Sequence, residues 1–255
     1  MIHLLVIAGS DSSGGAGIQA DVKTSASLGA HAMTAVTAVT AQNSLGITAV
    51  HEVPVGFISR QIETIIDDVM PQAVKIGMLY TAAAVREVAR LIEKRKLKHV
   101  VVDPVFRAST GMELLDRDAI YVMKDVLFPL TGVVTPNLDE AGILAGKVVG
   151  DKEEMIEAAK TIKQFGPDVV ITGGHLEGRC VDLVFDGNDI HQFWGSKIDT
   201  KHTHGSGCVF STALAVSLAG GKSLVKATEI AHDFVRNAII NSYECGKGAG
   251  SVKAG

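Results

Sequence analysis

Apolar positions along this chain fall into two alternating kinds of segment. Short runs rich in β-branched residues, apolar nearly throughout, occupy 4–8, 33–40, 73–76, 99–103, 132–135 and 168–172. Strands that are apolar on both faces belong in a sheet covered on both sides. Between them, apolar residues recur with helical spacing over 16–28, 55–70, 81–94, 118–127 and 152–165. The alternation predicts parallel βαβ units with helices on both faces. The rhythm then changes: 180–185 and 189–194 flank Asp186-Gly187-Asn188, a turn that predicts an antiparallel edge hairpin. Two further helices, 207–218 and 223–242, complete the predicted α/β chain, and the 246–255 tail is expected to be loose. A single domain over 1–255 is expected, with no internal repeat or linker.

Composition narrows the class. Hydrophobic residues make up 47% and charged residues 20%, which excludes disordered and coiled-coil chains. A net charge of -4 with scattered Lys and Arg gives no basic stripe, so no nucleic-acid partner is expected. The apolar start meets Asp11 too early for a secretory signal or a membrane span, so the expected place is the cytoplasm, with no membrane partner. Cys180, Cys208 and Cys245 show no CxxC spacing, which argues against a disulfide framework and a structural zinc site.

Candidate chemistry concentrates in His204-Gly205-Ser206-Gly207-Cys208, just before the small-residue apolar run 209–218. Two glycines alternating with a hydroxyl residue at a helix start let backbone N–H groups converge on one anion. Gly205, Ser206, Gly207 and Cys208 are therefore expected to bind phosphate, with the helix terminus pushing the Cys208 thiol toward thiolate. A lone cysteine equally suits a small buried apolar position. The cluster from Gly9 to Gly17 follows a strand and opens a helix, where α/β proteins hold ligands. It lacks the Gly-Lys-Ser/Thr of a P-loop, and no acidic residue follows at the distance a dinucleotide site requires. Asp103-Pro104 and Thr135-Pro136-Asn137 end successive strands. Asn137 and Glu140 have the spacing of a capping box. Asp103 and Glu140 together are placed to hold a hydrated Mg²⁺ largely through waters. The histidines match no zinc motif, and no G-x-S-x-G elbow is present.

In order, these motifs resemble the hydroxymethylpyrimidine/phosphomethylpyrimidine kinases of thiamine biosynthesis, a branch of the ribokinase-like superfamily. The resemblance runs through Ala8-Gly9-Ser10-Asp11, Gly14-Gly15-Ala16-Gly17, Thr40-Ala41-Gln42-Asn43, Lys75-Ile76-Gly77-Met78, Asp103-Pro104-Val105, Thr135-Pro136-Asn137, Gly173-Gly174-His175-Leu176 and His202-Thr203-His204-Gly205-Ser206-Gly207-Cys208. It covers essentially the whole chain. It implies a ribokinase-like three-layer sandwich with a mostly parallel central sheet, helices on both faces and an antiparallel edge hairpin. The implied activity is ATP-dependent phosphorylation of 4-amino-5-hydroxymethyl-2-methylpyrimidine to its monophosphate and then its diphosphate.

The resemblance also implies roles. The pyrimidine sits among Gly9, Ala16, Asp21, Gln42, Met78, Val105 and Cys208. A carboxylate and a carboxamide can together read its amine donor and ring-nitrogen acceptors. Without the resemblance, Asp21 is an ordinary helix-surface carboxylate. ATP is held by Asn137, Thr172 and Gly174, and Mg²⁺ by Asp103 and Glu140. The amides of Gly205 to Cys208 meet the migrating phosphoryl group, and Cys208 orients or deprotonates the acceptor. Family members are commonly dimers, so a homodimer is expected. Members often carry Val-Lys-Gly-Gly-His where this chain has Ile171-Thr172-Gly173-Gly174-His175. Thr172 supplies a hydrogen bond but no charge, which weakens the second phosphorylation in particular. Arg107, in the divergent segment 106–111, is placed to replace that charge. Two other readings stand beside this one: a pyridoxine or pyridoxal kinase of the same superfamily, and a pyrimidine-binding sensor with little turnover.

Overall fold

The computed structural model describes residues 1–108, 111–115, 117–174 and 179–255; Ser109, Thr110, His175 and Leu176 of the motifs above lie outside them. The chain begins β1 (Ile2–Asp11), α1 (Gly17–Ser27), β2 (Ala30–Asn43), β3 (Gly46–Glu52) and α2 (Val55–Asp68). It continues β4 (Ala73–Ile76), α3 (Ala82–Arg95), β5 (Val100–Val102), α4 (Arg117–Val122), β6 (Val133–Val134) and α5 (Leu138–Ala145). The last elements are α6 (Lys152–Lys163), β7 (Asp168–Gly173), β8 (Arg179–Phe185), β9 (Ile190–Ser196), α7 (Ser206–Ala219) and α8 (Leu224–Ile240). The predicted helix over 118–127 is α4 followed by a π-helical turn, Met123–Leu127, and a 3₁₀ turn, Phe128–Leu130.

Among the described residues the strands form one sheet in the order β3-β2-β1-β4-β5-β6-β7-β8-β9. Strands β2, β1, β4, β5, β6 and β7 run parallel, as their apolar runs predict. Alternate residues of each strand feed two cores. Leu5, Ile7, Val102, Val134 and Ile171 pack with α2 to α6, whereas Leu4, Val6, Val101, Val133 and Val170 pack with α1, α7 and α8. This is the period-2 alternation of a sheet sandwiched between helix layers. Helix α2 shows the matching logic at helical spacing, burying Ile58, Ile62 and Ile66 on one stripe. Helix α7 is buried along the unbroken run from Val209 to Ser217, wedged against the sheet, α1 and α8.

Two features depart from the sequence reading. The predicted hairpin exists as β8 and β9, but the opposite edge is antiparallel too, because β3 pairs back on β2. Strand β3 is largely exposed and its connection, Ser44-Leu45, carries none of the usual two-residue turn chemistry, so no pattern announced it. The tail is docked rather than loose. Gly250 accepts from the His204 amide at 3.3 Å, Val252 donates to the His204 carbonyl at 3.2 Å, and Ser251 exchanges both bonds with Tyr243. Burial of Ser251, Val252 and Ala254 against α1 and α8 supplies the rest. No helix among the described residues is long and apolar enough to cross a membrane.

Candidate active site

A cavity of about 520 Å³ opens where the parallel strands end. Open α/β sheets place ligands at the carboxyl ends of their strands, because the diverging loops leave a crevice there. β1 contributes Gly9, Ser10 and Asp11; β4 contributes Lys75 and leads to Gly77 and Met78; β5 leads to Asp103 and Val105; β6 leads to Thr135 and Asn137; β7 contributes Thr172. A register shift between β1 and β2 beside Gly9 re-aims the strand at the cavity rim. The first turn of α7 closes the wall with Gly205, Ser206, Gly207 and Cys208.

Asp11 organises the turn after β1. Its carboxylate accepts from Ser13 N at 2.8 Å, Ser13 Oγ at 2.7 Å, Gly15 N at 3.2 Å and Ala16 N at 2.9 Å. Burial alone would raise its pKa, but the bonds from His204 and Ser13 dominate and hold it at about 2. His204 Nε2 lies 2.9 Å from the same carboxylate and 3.4 Å from Gln42 Nε2, so the β1 turn, the anion turn and Gln42 are locked together. The packing leaves no room for side chains: a Cβ on Gly15 would lie 2.3 Å from Ser251 Oγ and 2.5 Å from His204 Cδ2.

The turn before α7 has the glycine-capped backbone form that the sequence predicts. Gly205 caps α7 with φ 87°, a conformation that favours glycine. The Ser206 amide is bonded to the Thr203 carbonyl at 3.1 Å; Gly207 and Cys208 follow in the first helical turn, where amides lack an intrahelical partner, and both residues line the cavity. Cys208 is partly buried, and its surroundings oppose the expected shift toward thiolate. Burial pushes the thiol up to about 12; Lys75 pulls it back, and the carboxylates of Asp21 and Asp103 push it further. Burial and these neighbouring carboxylates outweigh what a helix terminus supplies.

Asp103 and Glu140 both line the cavity and are both buried. Asp103 accepts from Ser211 Oγ at 3.1 Å. Glu140 belongs to a real capping box: it accepts from Asn137 N at 2.9 Å while Asn137 Oδ1 accepts from Glu140 N at 2.9 Å. Capping does not exhaust Glu140. Burial raises its pKa well above the usual carboxylate range and the charge of Asp103 raises it further. Both carboxylates offer the oxygen donors a hard cation takes, with the Lys75 ammonium 3.8 Å from Asp103. No group of three or more His, Cys, Asp or Glu side chains able to hold a metal occurs among the described residues.

Gly9, Ala16, Gln42, Met78, Val105, Asn137 and Thr172 also line the cavity, where the sequence placed them. Asp21 and Gly174 do not. Gly174 is exposed beyond the end of β7. Asp21 is no surface carboxylate and is not brought to the wall; it is fully buried, with Thr212 Oγ1 at 2.7 Å and Lys75 Nζ at 3.0 Å. Its pKa is raised by burial, with Lys75 and Thr212 opposing. Three residues that stand in the sequence motifs without an expected role there also line the cavity: Asp11, Lys75 and His204. Lys75 carried a signal, being a lone cation inside an apolar strand. Although its burial disfavours charge, Asp21, Cys208 and Asp103 outweigh that and hold the ammonium above its ordinary pKa. Arg107 reaches the cavity, paired at 3.3 Å with Glu113 at the exposed mouth.

A family model described as phosphomethylpyrimidine kinase matches residues 11–253 of this chain. The hydroxymethylpyrimidine/phosphomethylpyrimidine kinase of Bacillus subtilis is 43% identical over 249 residues, covering 96% of this chain and 92% of that protein. The thiamine biosynthesis bifunctional protein ThiED of Geobacter sulfurreducens is 42% identical over 251 residues, 98% of this chain; the chain spans about half of it, 51%. A crystal structure of Bacillus subtilis pyridoxal kinase in complex with ADP superimposes with a TM-score of 0.94 at 39% identity, covering 100% of this chain and 97% of that one.

Proposed function

Since the chain belongs to the phosphomethylpyrimidine kinase family, we propose that it transfers the γ-phosphoryl group of ATP to the hydroxymethyl oxygen of 4-amino-5-hydroxymethyl-2-methylpyrimidine, and then phosphorylates the resulting monophosphate. One observation carries the reading. A single cavity holds a ring-sized apolar wall (Met78, Val105), a carboxamide (Gln42), two buried carboxylates (Asp103, Glu140) and the amide-bearing turn at Gly205 to Cys208.

Each part has a task in this proposal. Met78 and Val105 give flat apolar contact to the ring, and Gln42 hydrogen-bonds its polar edge. Asp21 acts behind the wall, fixing Lys75, rather than touching the pyrimidine. The amides of Gly207 and Cys208 face the charge on the transferring phosphoryl group, and Asn137 and Thr172 meet the nucleotide phosphates. Asp103 and Glu140 are oxygen donors of the kind Mg²⁺ takes, few enough that the ion would keep most of its waters. When bound, Mg²⁺ neutralises polyphosphate charge. Arg107 compensates in part for the charge that Thr172 lacks. The proposal includes the cytoplasm and a homodimer, with ATP and the pyrimidine as the small-molecule partners.

Purified protein with ATP, Mg²⁺ and hydroxymethylpyrimidine is expected to give the monophosphate first and the diphosphate later, resolved by chromatography. The resemblance to pyridoxal kinase makes pyridoxal the proper competitor. A higher kcat/KM for pyridoxal, or no pyrimidine product, would sink the reading.

Cys208 is expected to orient the acceptor as a thiol, since its pKa of about 12 leaves almost no thiolate at neutral pH. Cys208→Ser should keep kcat within about tenfold of wild type and Cys208→Ala should lower it further. A wild-type kcat that climbs about tenfold per pH unit from pH 6 to 8, in a way lost in Cys208→Ser, would reinstate a thiolate base.

A further inference from the structure

Behind the nucleotide end of the cavity lies a buried polar chain that the chemistry above does not use. Asp182, on β8, sits opposite Thr172 in the antiparallel pairing with β7. Its Oδ1 accepts from the Gly173 amide at 3.1 Å, one position beyond its own partner in register. Its Oδ2 lies 2.6 Å from His232 Nδ1 of α8. Asp182 and His232 are each 4% exposed, and the imidazole also packs on Phe193, the β9 neighbour of Asp182 in register, with ring centroids 6.2 Å apart. A carboxylate accepts only, so His232 Nδ1 carries the proton.

Buried charge is costly unless a position requires it, and an apolar pair of similar size would serve packing alone as well or better. What the pair does locally is specific. Gly173 is the last residue of β7, directly after Thr172, which lines the cavity and donates its own amide to Pro136 O at 3.0 Å. The chain leaving β7 is thus pinned on two consecutive amides, one by the β6 connection and one by Asp182.

We propose that Asp182, held by His232, is a positioning residue for nucleotide binding: it fixes the backbone at Thr172 and Gly173 where ATP phosphates are received. The proposal rests on the kinase reading above for the place of the nucleotide. It does not depend on which ring is phosphorylated.

ATP affinity measured by calorimetry without acceptor tests it, beside pyrimidine affinity measured without nucleotide. Asp182→Leu removes the side-chain acceptor for Gly173 and is expected to weaken ATP about tenfold or more while pyrimidine affinity stays within about twofold. Asp182→Asn retains Oδ1 toward Gly173 and should restore ATP affinity to within about threefold of wild type. Should Asp182→Leu not fold, the double change Asp182→Leu and His232→Leu, which removes the His232 donor together with its partner, takes its place with the same expectation. Unchanged ATP affinity in a folded variant, or an equal loss of ATP and pyrimidine binding, overturns the proposal. A wild-type chain that binds ATP but phosphorylates no pyrimidine overturns the substrate reading and leaves this comparison intact.

Discussion

Lys75→Met is expected to lower folding stability by about 3–5 kcal/mol, the range for breaking a buried ion pair from one side. Lys75 and Asp21 are both fully buried, and the methionine would leave the Asp21 carboxylate with Thr212 as its remaining polar partner. Asp103, 3.8 Å from Lys75 Nζ, would lose its nearest cation as well. Urea denaturation at neutral pH reads the change as a lower midpoint at unchanged slope. Asp21→Asn combined with Lys75→Met removes the stranded charge and keeps an acceptor for Thr212, so the double variant should recover more than half of the loss. A loss below about 1 kcal/mol for Lys75→Met would show that the pair is dispensable for folding.

Gly205→Ala is expected to cut kcat/KM by about a hundredfold or more, the scale of an ångström-sized misplacement of catalytic groups. Two constraints meet at this residue. Its φ of 87° disfavours a side chain, and a Cβ there would lie 2.0 Å from the Gly15 carbonyl oxygen. Backbone cannot swing aside as a flexible side chain would, so either the turn ordered by Asp11 or the start of α7 must shift. Both line the cavity. Steady-state kinetics with ATP and hydroxymethylpyrimidine check this, and a variant within about threefold of wild type would show that the contact between the two turns is not needed.

The site was legible where chemistry and local sequence coincide. Glycines spaced around a hydroxyl residue before an apolar run announced the anion turn, and proline-terminated strands announced Asp103 and Asn137. Legibility failed where a side chain's role depends on a distant segment. Asp21 lies 54 positions from Lys75 and 191 from Thr212, and only their convergence makes it a buried positioning carboxylate. Cys208 sits at a helix terminus as expected, yet its thiol is governed by burial and by Asp21 and Asp103 from other elements. Edge strand β3 and the docked tail were missed for a related reason. Each is stabilised by pairing with remote backbone, which leaves no periodicity of its own.

By itself the sequence determined the parallel core, the helices on both faces and the glycine turn that opens α7, because apolar periodicity and glycine placement act through local backbone preferences and burial. Only the tertiary structure decided which titratable groups share one low-dielectric space. Burial and charge proximity set the state of Cys208, the pairing of Lys75 with Asp21 and the mutual influence of Asp103 and Glu140. Those quantities depend on distances between segments that the order of residues does not contain.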